Sequence, residues 1–202
     1  MKLLHSPTSP YVRKVRVVAI EKGLSSRIEL INANPWPDPT AVIAANPLGR
    51  VPVLLLEDGT PIYDSPVICE YLDSLVPARP LIPYDGIARW LVLRRQALAD
   101  GILDAAVGMV LESRRPAAEQ SASSQERATA AIRRSVAALA GELQAADETF
   151  DLGQISIAVA LGYLEFRLSH LELGASERPV AEFWSTAKAR PSFLATQPVL
   201  PA

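Results

Sequence analysis

Cysteine is almost absent from this chain: Cys69 stands alone. An intramolecular disulfide is therefore excluded, and so is a zinc site built on clustered cysteines. A single thiol agrees with a reducing compartment. Neither sign of charge dominates. Lys and Arg number 20 and Asp and Glu 22, a formal net charge of -2, so no basic field points to nucleic acid or an anionic membrane. Long apolar runs are missing too. The most apolar stretch, residues 155–164, is far shorter than the ~20 residues a membrane-spanning helix needs, and it predicts a buried core helix. Near the start, Lys2, His5, Ser6 and Pro7 interrupt any apolar run, so the sequence predicts no secretory signal. Core material is ample, with 49% hydrophobic residues among 202.

Proline is scarce in one part of the chain and dense in the other. Twelve of the seventeen prolines precede residue 84, and only Pro116 falls between 84 and 178. Proline interrupts helix interiors, so the first part should be short elements joined by turns and the second long helices. The run Pro77-Ala78-Arg79-Pro80-Leu81-Ile82-Pro83 reads as a stiff linker. The expected division is residues 1–76, a linker at 77–83, and an all-helical part at 84–202.

Within the first part, residues 2–5 predict a strand and residues 10–22 a helix. Ser9 suits its N-cap, Pro10 its first position and Gly23 its stop. Residues 27–31 alternate as a second strand. Residues 53–56 and 61–63 flank Glu57-Asp58-Gly59-Thr60, where Asp-Gly signals a hairpin. Ser65 then suits an N-cap, with Pro66 at the first helical position. Between the second strand and the hairpin the chain reads as an irregular segment. In the second part, residues 87–112 and 126–146 have helical spacing, and Ser121 to Ser124 reads as a connection. Asp151-Leu152-Gly153-Gln154 resembles a capping box. Pro179 and Pro191 predict the starts of two short helices.

Four segments, taken in order, resemble the cytosolic glutathione transferases, and among them the small bacterial members. Ser6-Pro7-Thr8-Ser9-Pro10-Tyr11 is similar to the family's first strand-to-helix turn. Asn46-Pro47-Leu48-Gly49-Arg50-Val51-Pro52 is similar to its proline-bearing third strand. Tyr63-Asp64-Ser65-Pro66 resembles its acidic-Ser helix start, and Arg190-Pro191-Ser192-Phe193 a motif near its C-terminus. The resemblance implies an α/β thioredoxin-like N-terminal domain that binds glutathione, an all-α C-terminal domain, a homodimer and a cytoplasmic location. It implies glutathione as co-substrate, a small unidentified electrophile as second substrate, no cofactor and no metal. It also implies a cis Val51–Pro52 peptide bond, which would turn the Val51 backbone outward to pair with the cysteinyl part of glutathione like a short strand.

The residue types suit a thiolate. A thiol with pKa ≈ 8.5 needs a drop of roughly two units to ionise at neutral pH, or about 2.7 kcal/mol. A helix N-terminus offers ~0.3–1 kcal/mol, and ~2 in good geometry. A hydrogen bond to a charged group adds ~1.5–3 kcal/mol. Ser9 and the helix behind it can supply both, with Thr8 and Ser6 as rival hydroxyls and a plain N-cap as the alternative role. Arg13, Lys14 and Arg16 would favour an anion docked there, or form a solvated basic face. Ser65 suits the γ-glutamyl carboxylate and Asp64 its ammonium. Arg50 suits the glycyl carboxylate, with Asn34 and Trp36 near the same end. Cys69 reads as a buried inert thiol. Met109, Glu112 and Tyr163 are candidates for the second-substrate pocket, and Asp100 or Asp104 for a contact across a dimer.

These residues support an enzyme that adds the glutathione thiolate to an electrophile or reduces a peroxide. The competing reading is a binding or regulatory protein that keeps the fold without the chemistry, like the stringent starvation protein A group. A thiol-disulfide oxidoreductase is disfavoured, because serine cannot form a mixed disulfide.

Overall fold

The proline-dense part folds as a small sheet with helices, and the proline-poor part as a helical bundle. A computed structural model describes residues 1–33, 35, 39–144, 150–172 and 177–199. The chain divides into two compact units. One comprises Met1–Tyr84 with the segment from Pro191 onward, and the other Asp85–Arg190. The last segment thus joins the first unit, outside the boundary read from the sequence.

In the first unit, β1 (Lys2–His5) is followed by α1 (Pro10–Glu21) and β2 (Glu29–Asn32). Next come α2 (Thr40–Ala45), β3 (Val53–Leu55), β4 (Pro61–Ile62) and α3 (Ser65–Ser74). The sheet order is β2-β1-β3-β4. β1 runs parallel to β2, with Leu4 opposite Ile31, and antiparallel to β3, with Leu4 opposite Val53. β3 and β4 are antiparallel, with Leu54 opposite Ile62. Leu4 and Val53 join Ala33 and the α2 residue Val42 in one apolar cluster. Side chains alternate along a strand, so Leu3 and Leu54, at 1% and 0% exposure, face the other side. There α1 and α3 pack together. The segment read as irregular therefore contains a helix. α2 spans six residues with a single buried side chain, too little for a periodic signal.

α1 ends where Gly23 takes φ +69, a conformation that glycine adopts without a Cβ penalty. Its last turn is tied down by Lys22, whose Nζ donates to Asp73 Oδ1 at 2.7 Å and to the Val76 carbonyl at 2.7 Å. A further bond reaches the Arg79 carbonyl. Asp73 also accepts the backbone N–H groups of Leu81 and Ile82. This buried pair folds the linker back onto α1 and α3.

The second unit comprises α4 (Gly86–Glu112), α5 (Ala122–Gln144), α6 (Leu152–Leu168) and α7 (Arg178–Lys188). Of the serine run expected as a connection, Ser121 precedes α5 and residues 122–124 open it, with Ser121 Oγ accepting the Ser124 N–H. α6 is buried at every position from Leu152 to Leu164, as its apolar sequence predicts. Its cap matches the expected motif: Asp151 Oδ1 accepts the Gln154 N–H at 2.9 Å. The other oxygen of Asp151 holds Arg95 at 2.6 Å.

Gly153 lies against this pair. A Cβ there would meet Arg95 Cβ at 2.8 Å and the Val92 carbonyl at 3.0 Å. Alanine normally favours a helix over glycine by about 1 kcal/mol, but here the obstacles are a Cβ and a backbone oxygen. Gly153→Ala should therefore destabilise by about 1–3 kcal/mol, lowering Tm by roughly 2–10 °C. Thermal unfolding followed by circular dichroism checks this, and an unchanged or higher Tm would show that the contact gives way freely.

Candidate functional site

Topology gathers the candidate residues of the first unit. β1 and β2 are parallel, so both finish at the same end of the sheet. β3 is antiparallel to β1 and begins at that end, and β4, antiparallel to β3, finishes there. Ser9 follows β1, Val51 precedes β3, and Asp64 and Ser65 follow β4. Two helices, α1 and α3, start where these residues converge.

Ser9 is the N-cap of α1, and its Oγ accepts the Val12 N–H at 3.3 Å. That is a long bond, and it uses one of two lone pairs. The hydroxyl proton remains available to donate, so capping and thiolate binding are compatible. Pro10 occupies the first helical position, where it has no N–H to give. Thr8, one rival hydroxyl, is half-buried.

The Val51–Pro52 peptide bond is cis, as the resemblance implies, and so is Tyr63–Asp64. Val51 is half-buried and lies outside the β3 ladder. Arg50 is exposed. Its carbonyl accepts from Asn46 Nδ2 at 2.9 Å, which fixes the loop leading to Val51.

The start of α3 differs from the expected one. Asp64 rather than Ser65 is the N-cap, and no side chain caps the helix. Ser65 is the first helical residue and is 2% exposed, while Asp64 is exposed. Among the described residues nothing accepts the Ser65 or Val67 backbone N–H, and the first bonded N–H is that of Ile68, to the Asp64 carbonyl. Unpaired donors at a helix start suit an anion. Asn34 and Trp36 lie outside the described residues.

The basic residues of α1 do not act as the sequence implies. Lys14 is fully buried rather than part of a solvated face. Arg13 donates to the Phe193 carbonyl at 3.3 Å and lies 5.1 Å over the Phe193 ring. Arg16 donates to the Ala195 carbonyl at 3.3 Å. The opposite edge of α1 gains a third tie, from Ser192 Oγ to Glu21 Oε1 at 2.5 Å. These groups hold α8 (Pro191–Leu194) and the residues after it against α1. The sequence signal was the fourth segment, whose packing partner could not be read locally. His5, at the end of β1, has its pKa lowered by burial and by the charge of Arg16, so its ring stays neutral near pH 7.

Cys69 is buried. Met109 and Tyr163 are buried as well, while Glu112 is half-buried and bonded to the Ser121 N–H. Asp100 is half-buried and Asp104 exposed. Among the described residues no group of three His, Cys, Asp or Glu side chains could hold a metal ion, and no helix is long and apolar enough to cross a membrane.

Comparison with known proteins agrees with this geometry. Residues 8–75 match the model of the glutathione S-transferase N-terminal domain. The GST-like protein YibF of Escherichia coli strain K12 is 42% identical over 170 residues, 83% of each chain. A glutathione transferase family member from Pseudomonas fluorescens Pf-5, solved with bound glutathione, superposes with a TM-score of 0.92. Identity is 40%, covering 98% of this chain and 99% of that one. The same family member from Pf-5, solved with bound S-(propanoic acid)-glutathione, gives 0.89 at 40% identity over 99% and 100% of the two chains. With a thioredoxin-like sheet unit, a helical unit and a relative 42% identical over 83% of each chain, the chain belongs to the glutathione transferase family.

Proposed function

We propose that the protein is a glutathione transferase that stabilises the glutathione thiolate at the start of α1. The observation that carries this reading is the convergence of Ser9, Val51 and the Asp64–Ser65 helix start at one end of the sheet. In this reading Ser9 Oγ donates to the sulfur. The Val51 N–H and C=O pair with the cysteinyl unit as a strand does. The Ser65 hydroxyl and the Ser65 and Val67 N–H groups receive the γ-glutamyl carboxylate, and Asp64 takes its ammonium. Arg50 reaches the glycyl carboxylate as a bidentate donor, and the family resemblance assigns Asn34, outside the described residues, to the same end of the ligand.

Catalysis then consists of ionising the thiol and holding it near an acceptor. Sulfur forms a bond to the electrophilic carbon, and a leaving group or electron pair departs from it. Attack on a peroxide oxygen by the same thiolate is the alternative outcome. Glutathione is a co-substrate, and no cofactor enters the scheme. The resemblance alone carries two further parts of the reading, a homodimer and a cytoplasmic location. The relatives solved with glutathione and with an S-conjugate favour the enzyme over a regulatory protein lacking the chemistry.

Glutathione at about 100 times its Kd should stabilise the fold by about 2.7 kcal/mol, and the protein should be retained on immobilised glutathione. A melting curve with and without glutathione gives the answer. No shift together with no retention would sink the proposal.

A further inference from the structure

The end of the sheet away from Ser9 carries a cleft that the glutathione reading does not use. There β1, β2 and β4 begin and β3 finishes. The cleft has a volume of about 310 Å³ and is lined by Met1, Arg27, Leu56, Glu57, Asp58 and Tyr71, all within the first unit. Ligand pockets begin at about 300 Å³, so an occupant of this one is small.

The two walls carry opposite charges. Arg27 precedes β2, while Glu57 and Asp58 follow β3, and β1 runs between those strands. Neighbouring strands are ~4.8 Å apart, which separates the walls by roughly 10 Å. Each wall is held by the backbone. The Met1 amino group donates to the Arg27 carbonyl at 3.2 Å, fixing that segment beside the start of β1. Across the cleft the Leu56 N–H donates to the Thr60 carbonyl at 2.9 Å and closes the turn. The Thr60 N–H donates to Asp58 Oδ1 at 2.9 Å, and hydrogen bonding by Thr60 holds the Asp58 carboxyl below its usual range. Arg27, Glu57 and Asp58 are exposed, so a solute reaches them. None of the three makes an ion pair among the described residues. The neighbouring charges, Lys2 and Glu29, pair with each other at 4.0 Å. Leu56 and Tyr71 are half-buried and supply apolar surface. The Tyr71 hydroxyl has no hydrogen-bond partner among the described residues.

A simple cation in this cleft would meet Arg27, and a simple anion would meet two carboxylates. A molecule with both charges suits both walls. The guanidinium fork takes a carboxylate in two parallel bonds, and the carboxylates accept from an ammonium. We propose that this cleft binds a free α-amino acid with an apolar side chain. Arg27 takes its carboxylate, Glu57 and Asp58 its ammonium, and Leu56 and Tyr71 contact its side chain. The site is independent of the Ser9 end and stands whether or not Ser9 faces a thiolate.

Thermal unfolding at constant ionic strength tests it with leucine, N-acetylleucine and leucinamide. Saturating glutathione is present throughout, to occupy the helix starts at the Ser9 end. Leucine should raise Tm saturably. The two derivatives each lack one of its charges and should need at least about tenfold more solute for the same shift. Arg27→Gln should weaken the leucine response about tenfold, and so should Glu57→Gln/Asp58→Asn. Asparagine keeps the oxygen that accepts the Thr60 N–H, and all three positions are exposed, so the variants should fold. Their glutathione response should match that of the native protein. No response to leucine, or equal responses to the three solutes, would overturn the site. A native-like leucine response in Arg27→Gln would overturn it too. Loss of the glutathione response in the native protein counts against the proposed transferase function alone, because the Arg27 and carboxylate variants still report on leucine.

Discussion

Ser9→Ala should lower turnover about 10- to 150-fold at neutral pH while KM for glutathione stays within about twofold. The magnitude is that of one hydrogen bond to a charged group, ~1.5–3 kcal/mol. It falls on turnover because the other contacts proposed for glutathione, at Val51 and the start of α3, do not involve the hydroxyl. The pH dependence makes the test specific. Losing a donor to an anion raises the pKa of the bound thiol by about one to two units. The thiolate fraction at neutral pH falls, and it recovers as pH rises towards 9. The variant's rate should recover with it, closing most of the gap to the native protein. The same substitution removes the bond from the Val12 N–H, so about 0.5–2 kcal/mol of stability goes too. Rate profiles from pH 6 to 9.5 decide the matter. A parallel drop at every pH, or a rise in KM alone, contradicts the assigned role.

Asp73→Ala should be the most destabilising of the substitutions considered, by about 3–5 kcal/mol. Its side chain is 9% exposed and that of Lys22 is 1% exposed. Removing the carboxylate leaves an ammonium in the interior with only carbonyl oxygens for company, and frees two linker N–H groups. Lys22→Met, which removes the other charge, leaves Asp73 with its two N–H donors. Lys22→Met/Asp73→Leu should recover part of the loss, because a well-packed apolar pair can equal a buried ion pair. Urea unfolding of the native protein, Lys22→Met, Asp73→Leu and the double variant gives the comparison, with Asp73→Ala measured beside them. Additive losses in the double variant would mean that the two side chains do not act as a pair.

Local chemistry made much of the fold legible. Ser9-Pro10 and Asp151-Leu152-Gly153-Gln154 mark helix starts because capping needs only residues three apart in sequence. Asp58-Gly59 marks a hairpin for the same reason. The helix at residues 155–164 was readable because its apolar run has no polar face to hide. What was not legible depends on distance. α2 is too short for a period. Nothing near Arg13, Lys14 or Arg16 distinguishes a residue that anchors a distant strand of chain from one facing solvent. Residues 121–124 looked like a connection because serine is a poor helix former, yet it is a good cap. At the candidate site, the order of Ser9, Val51 and Asp64 along the chain gave no hint of their convergence. That follows from β3 running against β1, which only the pairing register reveals.

The first unit draws on two segments separated by the whole of the second unit, and this constrains when it can be finished. Arg13 and the Phe193 carbonyl it holds are 180 residues apart. Domains emerging from the ribosome tend to fold in order, N-terminal first. Here the helix capped by Ser9 is synthesised before the second unit, yet the segment that braces it is made after that unit. During translation the sheet and its helices must wait with the Phe193 surface uncovered until the intervening helices have been threaded through. Completion of the first unit is thus tied to the synthesis of the segment that begins at Pro191.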